Sequence, residues 1–238
     1  MLSKKEIKDI QSLSHKKFRK ELKLFIAEGP KIVSELWQLI PSQFERIYAT
    51  GNWEGHASDD ITVMVTDQEL EKISELKTPN QVLAVIRQFE NYEPECSGFT
   101  LYLDAIQDPG NLGTIIRIAD WFNIGQVVCN EGCADMYNPK VIQSTMASMA
   151  RVHVYYDEEG SWLSKQQVPI YAATLDGSNL RDQPKIKEGI LVIGNESRGI
   201  SEQVMKLATK KITIPKTGNA ESLNAAVATG IILYELTQ

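Results

Sequence analysis

The chain has 238 residues, of which 42% are hydrophobic and 24% charged, and its formal net charge is −6. This length fits two small domains or one large one, and the composition allows a buried core. The acidic balance argues against a protein that coats nucleic acid non-specifically, and no apolar run approaches the roughly 20 residues that span a bilayer.

Positive charge is concentrated at the N-terminus. The first 23 residues carry eight basic side chains and only three acidic ones. A basic segment on an acidic body suits a polyanionic partner engaged at one place, and the alternative is a solvated helix face. The segment lacks the apolar stretch of a signal peptide, so we expect a cytoplasmic protein that does not enter a membrane.

The cysteines do not predict a metal site. Cys129 and Cys133 form a CxxxC pair and Cys96 stands apart, and no histidine or second cysteine pair lies at a metal-binding spacing from them. Reduced thiols are therefore a better interpretation than zinc ligands, and we expect no metal.

Residues 1–95 alternate helical and strand patterns, which predicts a small α/β domain. In chain order, the patterns predict a helix, a strand, a second helix and a second strand at 30–39, 46–50, 68–76 and 82–86. The polar segment 91–98 contains Pro and Gly between apolar runs, which is typical of a linker. We therefore predict a first domain at 1–95 and a second domain at 96–238.

The second domain alternates strands and helices more regularly. Strands are predicted at 101–106, 125–129, 152–155, 170–174, 190–193 and 211–214. Helices are predicted at 112–122, at 139–149 behind the cap Asn138, and from the cap Ser222 through Leu236. Such alternation predicts a mainly parallel sheet covered by helices on both faces.

Three turns rich in Gly and Asn join strands to helices in this domain. The first turn, Asp108–Gly113, contains Asn111 as a candidate helix cap. Arg117 lies six residues beyond Asn111, and its long side chain can reach back toward the start of the helix. The structural alternatives are a plain cap for Asn111 and a surface ion pair for Arg117.

The second turn, Gly194–Gly199, follows an apolar strand and matches neither the dinucleotide-binding nor the P-loop pattern. Glu196 stands at the carboxyl end of this strand, where a carboxylate must be paired or solvated, and Arg117 is its predicted partner. In the third turn, Ser222 and Asn224 stand at a helix start, and capping is their structural alternative.

These turns carry the motifs NxGxxxR, GNExxG and IPxxGxxxSLNxAVA in this order. The set resembles the SpoU/TrmH branch of the SPOUT RNA methyltransferases over residues 100–238. The segment Phe25–Val33, behind the basic N-terminus, resembles the ribosomal-protein-like α/β substrate-binding domain that precedes many of these enzymes. The two resemblances together cover nearly the whole chain.

The resemblance implies a fold and an activity. The fold is a SPOUT-type mainly parallel sheet with a C-terminal trefoil knot, an exception to the rule that chains do not thread loops. The activity is S-adenosyl-L-methionine-dependent methylation of a ribose 2′-hydroxyl in structured RNA by a homodimer. Ribosomal RNA of the 23S type is favoured over transfer RNA as the substrate.

The resemblance also implies the site residues. The catalytic set corresponds to Asn111, Arg117, Glu196, Ser222 and Asn224. The cofactor-binding residues are Thr174, Leu175, Gly194, Asn195, Gly199, Ile214 and Leu223, and the RNA-binding residues are Lys16, Lys17, Arg19, Lys20 and Glu28. Where relatives have a Ser-x-Gly-Ala-like segment, this chain has Ala147 in place of the glycine, which questions the local packing or the dimer contact.

Methyl transfer of this kind needs little covalent chemistry from the protein. The sulfonium methyl is already a strong electrophile, so the protein must orient the hydroxyl and assist loss of its proton. In the family the arginine is proposed as the base. Because a guanidinium stays protonated in proteins, we expect Arg117 instead to hold a phosphate and to lower the pKa of the hydroxyl.

Two other functions are open to this sequence. A non-catalytic RNA-binding relative that retains the cofactor pocket would be marked by loss of Arg117, Glu196 or Asn224, and all three are present. A nicotinamide- or nucleotide-binding enzyme would need a glycine fingerprint after its first strand and an acidic residue about 20 positions later. The sequence has neither feature in that arrangement.

Overall fold

A computed structural model describes residues 1–96 and 98–237. The helices, in chain order, are α1 (Lys4–Ser12), α2 (Lys16–Leu22), α3 (Pro30–Leu39), α4 (Asp67–Ile73), α5 (Pro109–Trp121), α6 (Pro139–Thr145), α7 (Glu202–Met205) and α8 (Ala225–Thr237). The strands are β1 (Leu24–Glu28), β2 (Phe44–Ala49), β3 (Thr62–Met64), β4 (Val82–Arg87), β5 (Phe99–Asp104), β6 (Gln126–Asn130), β7 (His153–Asp157), β8 (Ile170–Asn179), β9 (Gly189–Gly194) and β10 (Lys210–Thr213). The chain forms two compact units.

The first unit consists of Met1–Glu90 and Tyr137–Ala150. Its sheet has the strand order β1-β4-β2-β3, with β4 antiparallel to both of its neighbours and β3 parallel to β2. Helices α1 and α4 each begin at a capping box, in which a hydroxyl and a glutamate satisfy each other's backbone N–H groups. Apolar side chains from these helices and from the sheet share one buried core, which includes Ile10, Leu13, Ile26, Leu70 and Leu83.

Helix α6 belongs to the first unit, which the predicted domain division did not include. The hydroxyl of Tyr137 accepts a hydrogen bond from Phe89 N–H at 2.8 Å, and its ring centroid lies 5.0 Å from that of Phe25. Gln143 Nε2 donates to the carbonyl oxygen of Glu28 at 2.9 Å. The first unit is therefore built from two separate stretches of the chain.

Helix α6 ends at Thr145, four residues before its predicted end at Met149. Met146 and Ala147 have φ angles of +48° and +66°, in the left-handed region that a right-handed helix cannot contain. Glycine adopts this conformation most readily, which explains a glycine at the position of Ala147 in the family that the chain resembles. The methyl group of Ala147 is fully buried within the first unit.

The second unit consists of Asn91–Met136 and Arg151–Gln238. Its six strands are all parallel, in the order β10-β8-β9-β5-β6-β7, which confirms the predicted sheet. Strand β5 is buried along its whole length and β9 along all but its last residue. Such burial is expected of central strands covered on both faces.

The cysteines are free thiols in this fold, with Cys129 and Cys133 buried and Cys96 half-buried. A hydrogen bond with Cys133, together with burial, raises the pKa of the Cys129 thiol. Among the residues that the structure describes, no group of His, Cys, Asp and Glu is arranged to hold a metal ion. None of the helices in residues 1–96 and 98–237 is long and apolar enough to cross a membrane.

Candidate functional site

Two of the three motif turns leave neighbouring strands of the second unit. Strands β5 and β9 are parallel and adjacent, and Asp104 at the end of β5 is in register with Gly194 at the end of β9. The turn after β5 leads into α5, and the turn after β9 carries Glu196. The carboxyl ends of adjacent parallel strands are the edge where α/β folds place ligand sites.

Asn111 lies inside helix α5 and not at its cap. The helix begins at Pro109, and Asp108 caps it by accepting a hydrogen bond from Asn111 N–H at 2.8 Å. The predicted start at Leu112 is therefore wrong, because Asp108 supplies a capping carboxylate and proline suits the first helical position. With the cap provided by Asp108, the side chain of Asn111 is free to contact another turn.

Side-chain hydrogen bonds join the three motifs. Asn111 Nδ2 donates to Glu196 Oε1, and Asn224 Nδ2 donates to Asn111 Oδ1 at 2.8 Å. The bonded residues are 85 and 113 positions apart in the sequence, so only the fold brings them together. We refer to Asn224, Asn111 and Glu196 as the polar chain.

Asn224 also begins helix α8. Its Oδ1 accepts hydrogen bonds from Ala226 N–H at 3.0 Å and from Val227 N–H at 3.2 Å. Asn224 is therefore the cap of α8, and the prediction that Ser222 caps this helix is wrong. Ser222 is exposed, and its hydroxyl forms no hydrogen bond within residues 1–96 and 98–237.

Substitutions at Asn224 separate its two contacts. Asn224→Ala should lower the free energy of unfolding by about 1 kcal/mol because the cap of α8 is lost, whereas Asn224→Asp keeps a capping oxygen and should cost less than about 0.5 kcal/mol. Urea denaturation followed by circular dichroism measures both changes. Ser222→Ala removes no hydrogen bond and should leave the midpoint unchanged. An equal loss of stability in Ser222→Ala would contradict this assignment of the cap.

Arg117 is exposed on α5, six residues after Asn111. In the described part of the chain its guanidinium forms neither a hydrogen bond nor an ion pair. The predicted pairing of Arg117 with Glu196 is not formed, because Glu196 accepts its hydrogen bond from Asn111 instead. The charge of Arg117 is therefore available to an anion from outside the chain.

The turn after β9 is tightly folded. Asn195 and Gly199 exchange two backbone hydrogen bonds of 3.0 and 2.8 Å, and Gly199 has a left-handed φ of +70°. A Cβ at Gly194 would lie 2.4 Å from the carbonyl carbon of Gly199, so only glycine fits there. Asn195 Nδ2 donates to the carbonyl oxygen of Ala105 at 2.8 Å, which ties this turn to the turn after β5. These three predicted cofactor-binding residues thus shape one constrained turn.

The other predicted cofactor-binding residues lie in two open stretches. Thr174 and Leu175 belong to a bulge of β8, between the parts of this strand that pair with β10 in different registers. Leu175 is 76% exposed and Leu223 is 46% exposed. Within the described chain, residues 215–223 form no hydrogen bond, so the backbone groups that follow Ile214 are open to a ligand.

The predicted RNA-binding residues divide into exposed and buried ones. Those exposed on helix α2 are Lys16, Lys17 and Lys20. Arg19 on the same helix is only 2% exposed, and its Nη1 donates to the carbonyl oxygens of Leu13 at 2.8 Å and Ser14 at 2.7 Å. This guanidinium satisfies carbonyl groups at the end of α1, so Arg19 has a role in folding that its charge did not indicate.

Glu28 is buried at the end of β1. Its carboxylate accepts hydrogen bonds from Ser74 Oγ and from Glu75 N–H, the latter at 2.9 Å. Burial raises the pKa of the Glu28 carboxyl, although the two hydrogen bonds oppose this shift. Its contacts therefore lie inside the first unit.

Two polar residues at the same sheet edge are missing from the set predicted from the sequence. Asp104 ends β5 and Asn130 ends β6, and Asp104 Oδ2 accepts a hydrogen bond from Ser201 N–H, beyond the turn that follows β9, at 2.6 Å. Each is the first polar residue after a buried apolar run. That position is the signal by which sequence reasoning could have identified them.

Comparison with known families matches both units. The model described as the SpoU rRNA Methylase family matches residues 98–234. The model described as the MRM3-like substrate binding domain matches residues 4–84. The first of these matches spans more than half of the chain and includes all three motif turns.

Individual relatives match almost over their full lengths. The 23S rRNA (guanosine(2553)-2′-O)-methyltransferase of Bacillus subtilis is 31% identical over 244 residues, which cover 97% of this chain and 95% of the relative. The structure of a TrmH-family protein from Porphyromonas gingivalis superposes with a TM-score of 0.89 at 37% identity, covering 100% of this chain and 98% of that one. The AdoMet-bound rRNA methyltransferase from Sinorhizobium meliloti superposes with a TM-score of 0.85 at 28% identity, and the match covers 99% of this chain and 95% of that one.

Proposed function

The chain belongs to the SpoU rRNA methylase family, and from this premise we propose that it methylates a ribose 2′-hydroxyl of ribosomal RNA, of the 23S type, with S-adenosyl-L-methionine (AdoMet) as donor. The observation that carries the proposal is the polar chain, which joins the three motifs at one edge of the sheet. The Bacillus and Sinorhizobium relatives are similar to this chain over nearly their whole lengths, and they support ribosomal RNA as the substrate class.

The two open stretches, at the bulge of β8 and at 214–223, would bind AdoMet. The exposed apolar side chains of Leu175 and Leu223 would pack on the adenine ring. The backbone groups of 215–223, which form no hydrogen bond among the described residues, would bond to the edge of the ring. The constrained turn Gly194–Gly199 would hold the rest of the AdoMet molecule, and Thr174 and Ile214 would contribute to the same site. When bound, the cofactor supplies an electrophilic methyl group on a sulfonium, so the protein must position the hydroxyl and assist loss of its proton.

We assign Arg117 to the phosphate of the target nucleotide. A guanidinium stays protonated in proteins and therefore cannot accept the proton of the hydroxyl. Its fixed charge can nevertheless lower the pKa of a neighbouring 2′-hydroxyl, whose proton then leaves to water. Asn111, Glu196 and Asn224 would fix the turns around this group through the polar chain. The hydroxyl of Ser222, two residues before Asn224, forms no hydrogen bond within residues 1–96 and 98–237.

The lysines of α2 are proposed to contact RNA phosphates. The double variant Lys16→Gln, Lys17→Gln should bind ribosomal RNA severalfold more weakly at 0.1 M salt. The slope of the logarithm of affinity against the logarithm of salt concentration should become shallower by about one for each phosphate contact that is lost. Filter binding over a series of salt concentrations measures both. Arg19 and Glu28 are left out of this experiment because their side chains are buried.

The matched control for overall charge replaces two exposed lysines of the second unit, Lys187 and Lys206, by glutamine. This variant loses the same charge and should keep the affinity of the native protein. Equal loss of affinity in both double variants would mean that net charge, and not the surface of α2, determines binding.

A homodimer is proposed from helix α8. This helix is apolar on all sides, and its residues Val227, Ile231 and Tyr234 remain exposed at helical spacing. Trp121 at the end of α5, which packs against α8, is also exposed. A second copy of the chain would cover this stripe, and sedimentation velocity should then give twice the chain mass of 26.7 kDa.

The trefoil knot and the cytoplasmic location belong to the same proposal. The knot is supported by the match of residues 98–234 to the SpoU rRNA Methylase family, whose resemblance implies it. A crystal structure that traces the chain through this region tests it. The cytoplasmic location is supported by the bacterial rRNA methyltransferase among the relatives, and fluorescence microscopy of a tagged chain can check it.

Tritiated AdoMet tests the proposed function directly. The purified protein is incubated with unmodified ribosomal and transfer RNA in separate reactions, and the labelled RNA is hydrolysed with alkali. We expect label in ribosomal RNA, in an alkali-resistant dinucleotide that marks 2′-O-methylation. Label in transfer RNA alone would overturn the substrate, and cofactor binding without any label would favour a non-catalytic RNA-binding relative.

A further inference from the structure

Asp104 links the end of β5 to the end of β6 and to the start of α7. Its Oδ1 accepts a hydrogen bond from Asn130 Nδ2, at the end of β6, at 2.5 Å, and its Oδ2 accepts one from Ser201 N–H at 2.6 Å. Ser201 caps α7 just beyond the turn Gly194–Gly199. Asp104 is only 2% exposed, so a single buried carboxyl group fixes the far end of that turn.

Asn130 holds the turn after β5 in the same network. Its Oδ1 accepts hydrogen bonds from Ala105 N–H at 2.9 Å and from Gly132 N–H at 3.1 Å. Ala105 has a φ of +58°, a left-handed conformation that a residue with a Cβ adopts only at a cost. Its carbonyl oxygen accepts from Asn195 Nδ2. Asparagine side chains from two other elements therefore hold this strained residue at both its N–H and its C=O.

We propose that Asp104 and Asn130 are positioning residues for methyl transfer. They fix the left-handed turn at Ala105, which leads to Asn111, and the start of α7 at Ser201, which closes the turn that carries Glu196. Through these two points they keep the predicted cofactor-binding turn in the shape that accepts AdoMet. The inference rests on the proposed function, and neither side chain needs to touch the cofactor or the RNA.

Exchange of the two residues provides the test. Asp104→Asn should weaken AdoMet binding roughly tenfold, because an amide cannot accept hydrogen bonds from both Asn130 and Ser201 with the same two atoms. In the double variant that also carries Asn130→Asp, the amide at position 104 can accept a hydrogen bond from Ser201 N–H and donate one to the carboxylate at position 130. That carboxylate still accepts a hydrogen bond from Ala105 N–H. The double variant should recover AdoMet affinity to within about threefold of the native protein.

Asp157 offers a matched control. It ends β7 at the same edge, is 2% exposed, and accepts hydrogen bonds from Ser161 N–H at 3.2 Å and Trp162 N–H at 2.9 Å. The turn that it holds carries none of the predicted site residues. Asp157→Asn and Asp104→Asn should therefore both lower the thermal midpoint, but Asp157→Asn should leave the affinity for AdoMet unchanged.

Isothermal titration calorimetry with AdoMet and thermal denaturation of the same samples separate binding from folding. Weaker binding in Asp104→Asn that the double variant recovers supports the inference. Native affinity in Asp104→Asn overturns it, as does a folded double variant without recovery. If Asp104→Asn does not fold, the variant Asn130→Ala, at the half-buried end of the network, replaces it in the titration with AdoMet. Weaker binding by this variant supports the inference, and native affinity overturns it. If the native protein itself does not bind AdoMet, the proposed function falls, and this inference falls with it.

Discussion

Turnover should fall by roughly 10²–10³ when Arg117 is replaced by alanine, as expected when a fixed charge that acts in the transition state is removed. The affinity for AdoMet should stay close to that of the native protein, because Arg117 lies outside the turns predicted to bind the cofactor. Folding should be unaffected, since the exposed guanidinium has no hydrogen-bond partner in the described part of the chain. Single-turnover methylation of ribosomal RNA and calorimetric titration with AdoMet measure the two quantities.

Two further variants define the role of Arg117. Arg117→Lys keeps the charge but loses the planar pair of donors, so it should retain part of the activity if the group acts on a phosphate. Thr114→Ala, one turn earlier on α5, removes an exposed hydroxyl that donates to Gly110 O and should be fully active. Full activity of Arg117→Ala would remove this residue from the chemistry and would leave the polar chain as the remaining candidate.

The parallel sheet and the edge that carries the site were predictable from the sequence. Apolar runs that alternate with helical patterns specify parallel strands, and motif turns that follow such strands must lie at their carboxyl ends. The structure confirms this sheet, in which β5 and β9 are neighbours although 84 residues separate Asp104, the end of β5, from Gly189, the start of β9. The order of the strands within the sheet, however, depends on long-range packing that no local pattern contains.

The individual partners of the site residues were less predictable. Charge favoured Arg117 as the partner of Glu196, whereas in the structure Glu196 is bonded to Asn111. The choice of Asn111 depends on where α5 begins, since Asp108 takes over the cap and leaves the amide free. In the same way, the pattern around α8 offered Ser222 and Asn224 as caps, and only the fold shows that Asn224 fills this role.

The burial of two charged residues was also not predicted from the sequence. Arg19 stands in a run of exposed lysines, yet its side chain turns inward to carbonyl groups at the end of α1. Glu28 ends an apolar strand and accepts hydrogen bonds from residues more than 40 positions away. Such long-range polar contacts are required by burial, but their partners become identifiable only when the chain is folded.

Gly194→Ala should weaken AdoMet binding by roughly 100-fold. The added Cβ would lie 2.4 Å from the carbonyl carbon of Gly199 and 2.5 Å from Ile200 N, and both are backbone atoms that cannot rotate away. The turn would have to shift by about 1 Å, and a displacement of this size at a preorganised site costs on the order of 100-fold. Overpacking of this kind should also lower the free energy of unfolding by about 1–3 kcal/mol.

Equilibrium dialysis with labelled AdoMet measures the affinity of this variant, and urea denaturation measures its stability. Gly177→Ala should behave in the same way, because its Cβ would lie 2.5 Å from Ile212 N beside the bulge that carries Thr174 and Leu175. Gly125→Ala is the control within the same unit, since no atom lies within 4 Å of its added Cβ. Native affinity in Gly194→Ala, at unchanged stability, would mean that the turn after β9 adapts freely and that its tight fold does not determine how the cofactor is held.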